Sequence, residues 1–120
     1  MPATTVKFAG VEFQADESVA GLLNSDQAII QSHWTPEPGD LCLDIGFGPG
    51  TWTMVALARG ARTISFDPKP NACAMLMDLM LLNRFTRGWI VPAGVWSRTD
   101  VLAFGANGFR EDNMKDRRPV

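Results

Sequence analysis

The 120-residue chain is poor in the residues that most often announce a chemistry. Its two cysteines, Cys42 and Cys73, match no zinc spacing. They read as two buried thiols in a reducing compartment. The single histidine, His33, sits on a helix-like segment and reads as a packed or surface residue rather than a base. An uncompensated basic stripe is missing. Lys115, Arg117 and Arg118 are interleaved with Glu111, Asp112 and Asp116, the net charge is -2 and the pI is about 5.2. Binding to phosphates needs unpaired positive surface, so no nucleic-acid partner is expected. No run approaches the ~18 apolar residues of a membrane span, and Met1 to Phe8 carries no signal-peptide core. A soluble, cytoplasmic protein that makes no membrane contact is therefore expected. No internal repeat or low-complexity block is found.

What is present is the composition of a packed domain. Hydrophobic residues make up 46% of the chain, with 7 Phe and 4 Trp, and a domain of this size buries roughly two-thirds of its unfolded surface. Val6 to Gln14 alternates apolar and polar residues around Gly10, the pattern of a hairpin. Ser25-Asp26-Gln27 opens a short helix to about Trp34. Pro36, Pro38 and Gly39 then punctuate a loop up to Asp40.

From there the pattern changes to strand and helix in alternation. Leu41 to Ile45 is a short apolar run suited to a buried parallel strand, and Thr51 to Arg59 is a helix stopped by Gly60. Arg62 to Phe66 is a second strand that ends at Asp67. Pro68-Lys69-Pro70 turns into a helix over Asn71 to Leu82, apolar nearly all round and expected to be well buried. Its Met75, Met77 and Met80 are expected to fill the core. Trp89 to Ala93 is a third strand and Val101 to Phe104 a short fourth. This order predicts an α/β fold: a partial, doubly wound βαβαβ sheet of Rossmann-like type behind an N-terminal hairpin and helix. Residues 1–39 lead into the domain, residues 40–104 form the half domain, and residues 105–120 form a polar, loosely ordered tail.

Ligands in such sheets bind beyond the carboxyl ends of the strands. Two features meet there. Asp44-Ile45-Gly46-Phe47-Gly48-Pro49-Gly50 lies between strand and helix, where glycines admit a ligand and loop N–H groups are expected to face it. Asp67, at the tip of the next strand, can accept hydrogen bonds from ribose hydroxyls. The dinucleotide fingerprint is G-x-G-x-x-G. Thr51 stands where its third glycine belongs, which makes a nicotinamide-dependent oxidoreductase the weaker reading.

The loop resembles the G-x-G-x-G motif of class I methyltransferases. Leu43-Asp44-Ile45-Gly46, Gly50-Thr51-Trp52-Thr53, Ile64 to Pro70, Leu82-Asn83 and Gly94-Val95-Trp96-Ser97 together are similar to the FkbM-type domain of that class. The similarity runs from about Asp40 to Phe104. It implies S-adenosyl-L-methionine as cofactor and methylation of a small-molecule or sugar hydroxyl. By resemblance Asp44, Gly46, Phe47, Gly48, Pro49 and Gly50 surround the methionine portion. Asp67 takes the ribose, Pro68 and Lys69 flank the adenine, and Val95 and Trp96 close over it. No second acid-tipped strand follows the third, and no Asp/His/Lys set for a general base is visible. A non-catalytic cofactor-binding module is the alternative. A half-sheet also leaves an edge or face that a second copy (a homo-oligomer) or a partner chain would cover.

Overall fold

The computed structural model describes residues 2–24, 33–101, 103–105 and 108–110. It opens with strands β1 (Ala3–Phe8) and β2 (Val11–Asp16), paired antiparallel with Phe8 opposite Val11. The two-residue turn between them has φ 52° at Ala9 and 75° at Gly10, the left-handed pair that matches strand twist in tight hairpins. The strands run past the expected Val6 to Gln14. Alternation puts Val6, Phe13 and Ala15 into the core. A single turn of helix, α1 (Glu17–Ala20), follows, with Asp16 accepting from the Ser18 N–H at 2.8 Å as its N-cap. Leu22–Asn24 forms a 3-10 turn that buries Leu23. The helix expected over Ser25 to Trp34 lies outside the described residues except at its end. There His33 is exposed and Trp34 meets Trp52 edge-on at 5.1 Å.

Strands β3 (Leu41–Ile45), β4 (Arg62–Phe66) and β5 (Gly88–Val91) form a parallel sheet in that order. Helices α2 (Thr51–Ala58) and α3 (Pro70–Leu82) make the crossovers. Two crossovers in one direction with one hand put both helices on the same face. The register assigns Cys42, Asp44, Thr63, Ser65, Gly88 and Ile90 to that face. Gly88 marks how closely the helices approach. A Cβ there would stand 2.6 Å from Met80 Cε, 3.0 Å from Thr63 Oγ1 and 3.2 Å from Leu57 Cδ1.

No described residue covers the other face. Leu41, Leu43, Ile45 and Trp89 share it, and they are 52%, 60%, 61% and 54% exposed. Parallel strands read as continuous apolar runs because such sheets are normally covered on both sides. Here β3 has such a run, β4 alternates, and the described residues cover one side only.

Three expectations need correction. Helix α3 is one-sided: Leu76, Leu79 and Met80 are buried, but Met77, Leu81 and Leu82 are exposed. The helix packs on β2 and β5 and nothing among the described residues lies over its outer flank, so of the three methionines only Met80 fills the core. The fourth strand begins later than expected, as β6 (Ala103–Gly105), and pairs antiparallel with β7 (Gly108–Arg110) rather than joining β3–β5. A two-residue link permits only an antiparallel return. Residues 111–120 of the expected tail lie outside the described residues. Finally, both cysteines are half-buried rather than fully enclosed.

Two side chains tie the hairpin to the α/β unit. Asn83, just past α3, accepts from the Gln14 N–H at 2.6 Å and donates through Nδ2 to the Gln14 and Leu79 carbonyls at 2.7 and 2.8 Å. Its amide thereby extends β2 as a neighbouring strand would. Arg59, closing α2, donates to the Pro36 carbonyl at 2.8 Å and the Ala9 carbonyl at 2.7 Å. It joins the hairpin turn to the loop that enters β3.

Candidate functional site

The Gly-rich loop leaves the carboxyl end of β3 and enters α2. Gly46, Gly48 and Gly50 all have positive φ, of 71°, 55° and 92°. Gly50 is the most constrained of them. It is the N-cap of α2 in the left-handed region, without a side-chain cap, and a Cβ on it would lie 2.8 Å from Leu76 Cδ1.

The loop spends its N–H groups on the protein, which corrects the expectation that they face a ligand. Gly46 and Phe47 donate to the Phe66 carbonyl at 2.7 and 3.4 Å. Gly50 donates to the Phe47 carbonyl at 2.9 Å. Gly48 donates to Asp67 Oδ2 at 3.1 Å. The bonds to Phe66 continue the β3–β4 ladder, so the loop is pre-shaped by the sheet itself.

Asp67 stands at the tip of β4 as expected, but it is only 6% exposed. Besides Gly48, it accepts the Lys69 N–H on Oδ1 at 2.9 Å, and its backbone carbonyl accepts from Cys73 Sγ at 3.3 Å. The side chain thus pins the glycine loop to the turn that starts α3. A carboxylate offers about four acceptor positions, so two backbone donors leave acceptor capacity for a hydroxyl.

Gly48, Pro49 and Lys69 come together. They line a cleft of about 460 Å³ with Gly21, Leu22, Ala72 and Met75, a volume within the range of small-molecule sites. Lys69 carries the only charge among these lining residues. Phe47 does not enter the cleft: its side chain belongs to the hydrophobic core. Pro68, next to Lys69 in sequence, is half-buried. Val95 and Trp96 lie past β5 in a stretch without regular structure and are exposed. Asp44 lies on the helix-covered face, where its Oδ2 accepts from Thr53 Oγ1 at 2.7 Å.

Sequence reasoning missed Leu22, Ala72 and Met75 as cleft walls. They come from the N-terminal segment and from α3, and only the tertiary fold brings them to the loop. Thr53 and Ser65 were also missed, although both are polar residues at positions that the helix and strand patterns place inward.

Both thiols are held above the ordinary thiol range. Burial is the largest cause in each case, followed by the charges of Asp40 and Asp44 at Cys42 and of Asp67 at Cys73. Neither sits in the electropositive setting that makes a reactive thiolate. Among the described residues no group of three His, Cys, Asp or Glu side chains could hold a metal ion, and no helix is long and apolar enough to cross a membrane.

No protein-family model matches the chain, and no curated protein matches it. Solved structures do. P. horikoshii TYW2 in complex with MeSAdo matches at 15% identity and a TM-score of 0.50, over 77% of this chain and 36% of that one. The M. jannaschii tRNA m1G37 methyltransferase matches at 19% identity and a TM-score of 0.47, over 78% of this chain and 30% of that one. The chain spans about a third of the length of these solved proteins. With its parallel β3–β4–β5 sheet, both crossover helices on one face and a glycine loop after the first strand, the chain has a Rossmann-like α/β fold.

Proposed function

We infer that this chain is the cofactor-binding part of a class I methyltransferase and that it takes S-adenosyl-L-methionine. The observation that carries this reading is the meeting of a G-x-G-x-G loop, with three left-handed glycines, and the acid at the tip of the next strand, beside a cleft of about 460 Å³. The similarity in fold to a protein solved with MeSAdo supports it. So does Thr51, which occupies the third-glycine position of a dinucleotide fingerprint and is buried with its hydroxyl donating to the Leu23 carbonyl at 3.1 Å. A side chain packed there leaves less room for close approach of a pyrophosphate.

In this reading Gly48, Pro49 and Gly50 shape the wall against the cofactor, Asp44 serves its amino-acid end and Asp67 its ribose. Pro68, Lys69, Val95 and Trp96 serve the adenine side. The bound cofactor supplies an electrophilic methyl group, and the protein's work is alignment and proton removal. The acceptor is a small-molecule or sugar hydroxyl, as the FkbM-type motifs imply.

The sheet face that the described residues leave uncovered bears on partners. Leu41, Leu43, Ile45 and Trp89 are each more than half exposed on one face, and a contiguous apolar patch marks a surface that other protein covers. Further protein, from a second copy or from another polypeptide, covers it in the working molecule.

The experiment is calorimetric titration of the folded chain with S-adenosylhomocysteine, followed by transfer from labelled cofactor to sugar hydroxyls and to tRNA. Heat of binding with label on the hydroxyl acceptor supports the whole reading. Binding without turnover leaves a cofactor-binding module, and label on tRNA overturns the small-molecule acceptor. NAD binding in place of S-adenosylhomocysteine returns the oxidoreductase.

A further inference from the structure

Asp44 and Ser65 are register partners on β3 and β4, on the face covered by the helices. Thr53, in the first turn of α2, reaches down to both. Its hydroxyl lies 2.7 Å from Asp44 Oδ2 and 2.6 Å from Ser65 Oγ. A threonine hydroxyl has one proton, and an ionised carboxylate only accepts. Thr53 therefore donates to Asp44 and accepts from Ser65. Both protons run toward the carboxylate, and both ends of the relay stand on the sheet with Thr53 of α2 between them.

Burial makes this arrangement stiff. Thr53 and Ser65 are 1% and 0% exposed, while Asp44 is half-buried two residues before the first loop glycine. The two loop acids differ in their partners. Asp67 gives its oxygens to backbone N–H groups of the loop and turn. Asp44 is oriented by side-chain hydroxyls whose own positions are fixed by packing. A carboxylate held this way has lost most of its rotational freedom before any ligand arrives, which lowers the entropic cost of binding a cation.

Resting on the cofactor reading above, we propose that Thr53 and Ser65 are positioning residues whose relay orients the Asp44 carboxylate for the ammonium of the cofactor's amino-acid end. The relay acts on one end of the ligand. A role confined to fastening α2 to the sheet would instead affect every ligand of the site alike.

The test compares S-adenosylhomocysteine with 5′-methylthioadenosine, which lacks the amino-acid end, by calorimetry on the full chain. Thr53→Val keeps the shape and removes the hydroxyl. It should weaken S-adenosylhomocysteine about tenfold, as expected for losing a hydrogen bond to a charged group, and leave methylthioadenosine within twofold. Thr53→Ser should restore most of the loss. Ser65→Ala, which removes only the distal hydroxyl, should cost about threefold on S-adenosylhomocysteine alone, and it carries the test if Thr53→Val does not fold. Equal losses on both ligands, or no loss on either, overturn the proposal. A wild-type chain that binds neither ligand overturns the cofactor reading itself, before any variant is made.

Discussion

Asn83→Asp is a near-isosteric change with a calculable cost. Asn83 makes three hydrogen bonds: it accepts from the Gln14 N–H and donates to the Gln14 and Leu79 carbonyls. Aspartate keeps the acceptor and loses both donors. Two lost bonds at about 1 kcal/mol each, plus an anion facing two carbonyl oxygens, give a destabilisation of about 2–4 kcal/mol. At roughly 4 °C per kcal/mol for a domain of this size, the melting temperature should fall by about 8–16 °C. The cost should shrink as pH drops far enough to protonate the new carboxyl, because the acid form regains one donor. Urea unfolding followed by tryptophan fluorescence, at pH 7 and again near pH 3.5, reads both effects. A variant within 0.5 kcal/mol of the parent at pH 7 would refute the claim that this amide docks the hairpin onto α3.

Gly50→Ala should cost about 2–4 kcal/mol, since it adds left-handed strain at φ 92° to a 2.8 Å clash with the buried Leu76. Thermal unfolding checks it, and an unchanged melting temperature would contradict the loop geometry. Cys42 and Cys73 should react with iodoacetamide more slowly than an exposed peptide thiol at pH 8, with rates that keep climbing above the ordinary thiol range because both thiols are held high. The native chain keeps those protons to higher pH than the unfolded chain does. The thiols' contribution to stability is therefore full below the ordinary thiol range and lost as pH rises from there through the raised native values. A rate plateau below pH 8.5 would argue against this.

The βαβαβ frame was legible because its signals are local. Leu41 to Ile45 is a short apolar run and Arg62 to Phe66 a strand-length segment, framed by Gly39, Gly46, Gly60 and Pro68, and the observed strands keep those bounds. The third strand runs over Gly88–Val91 rather than Trp89 to Ala93. Gly88 looks like a turn residue in sequence but is in fact where the helices crowd the sheet. What the sequence hides is contact between distant segments. Asn83 and Gln14 are 69 positions apart, and an asparagine after a helix reads as a simple stop signal. Arg59, the last residue of the expected helix, binds carbonyls from two other segments. Apolar periodicity also cannot say which apolar residues find cover: Leu81, Leu82 and Leu43 have core composition and stand exposed. In the site, the glycines and Asp67 were legible from spacing. That the loop's N–H groups are consumed by Phe66, Phe47 and Asp67 was not, because it depends on how the loop folds back on β4.

We propose the loop from Asp44 to Gly50, with Asp67, as the site for S-adenosyl-L-methionine. Its most direct test is calorimetric titration with S-adenosylhomocysteine of the wild-type chain and of Asp67→Asn, which keeps an acceptor for the Gly48 N–H but removes the charge. Saturable one-to-one binding by the wild type, weakened at least severalfold in the variant, is the result expected. A folded wild-type chain that gives no heat at high micromolar ligand, or a variant that binds as well as its parent, would contradict the assignment.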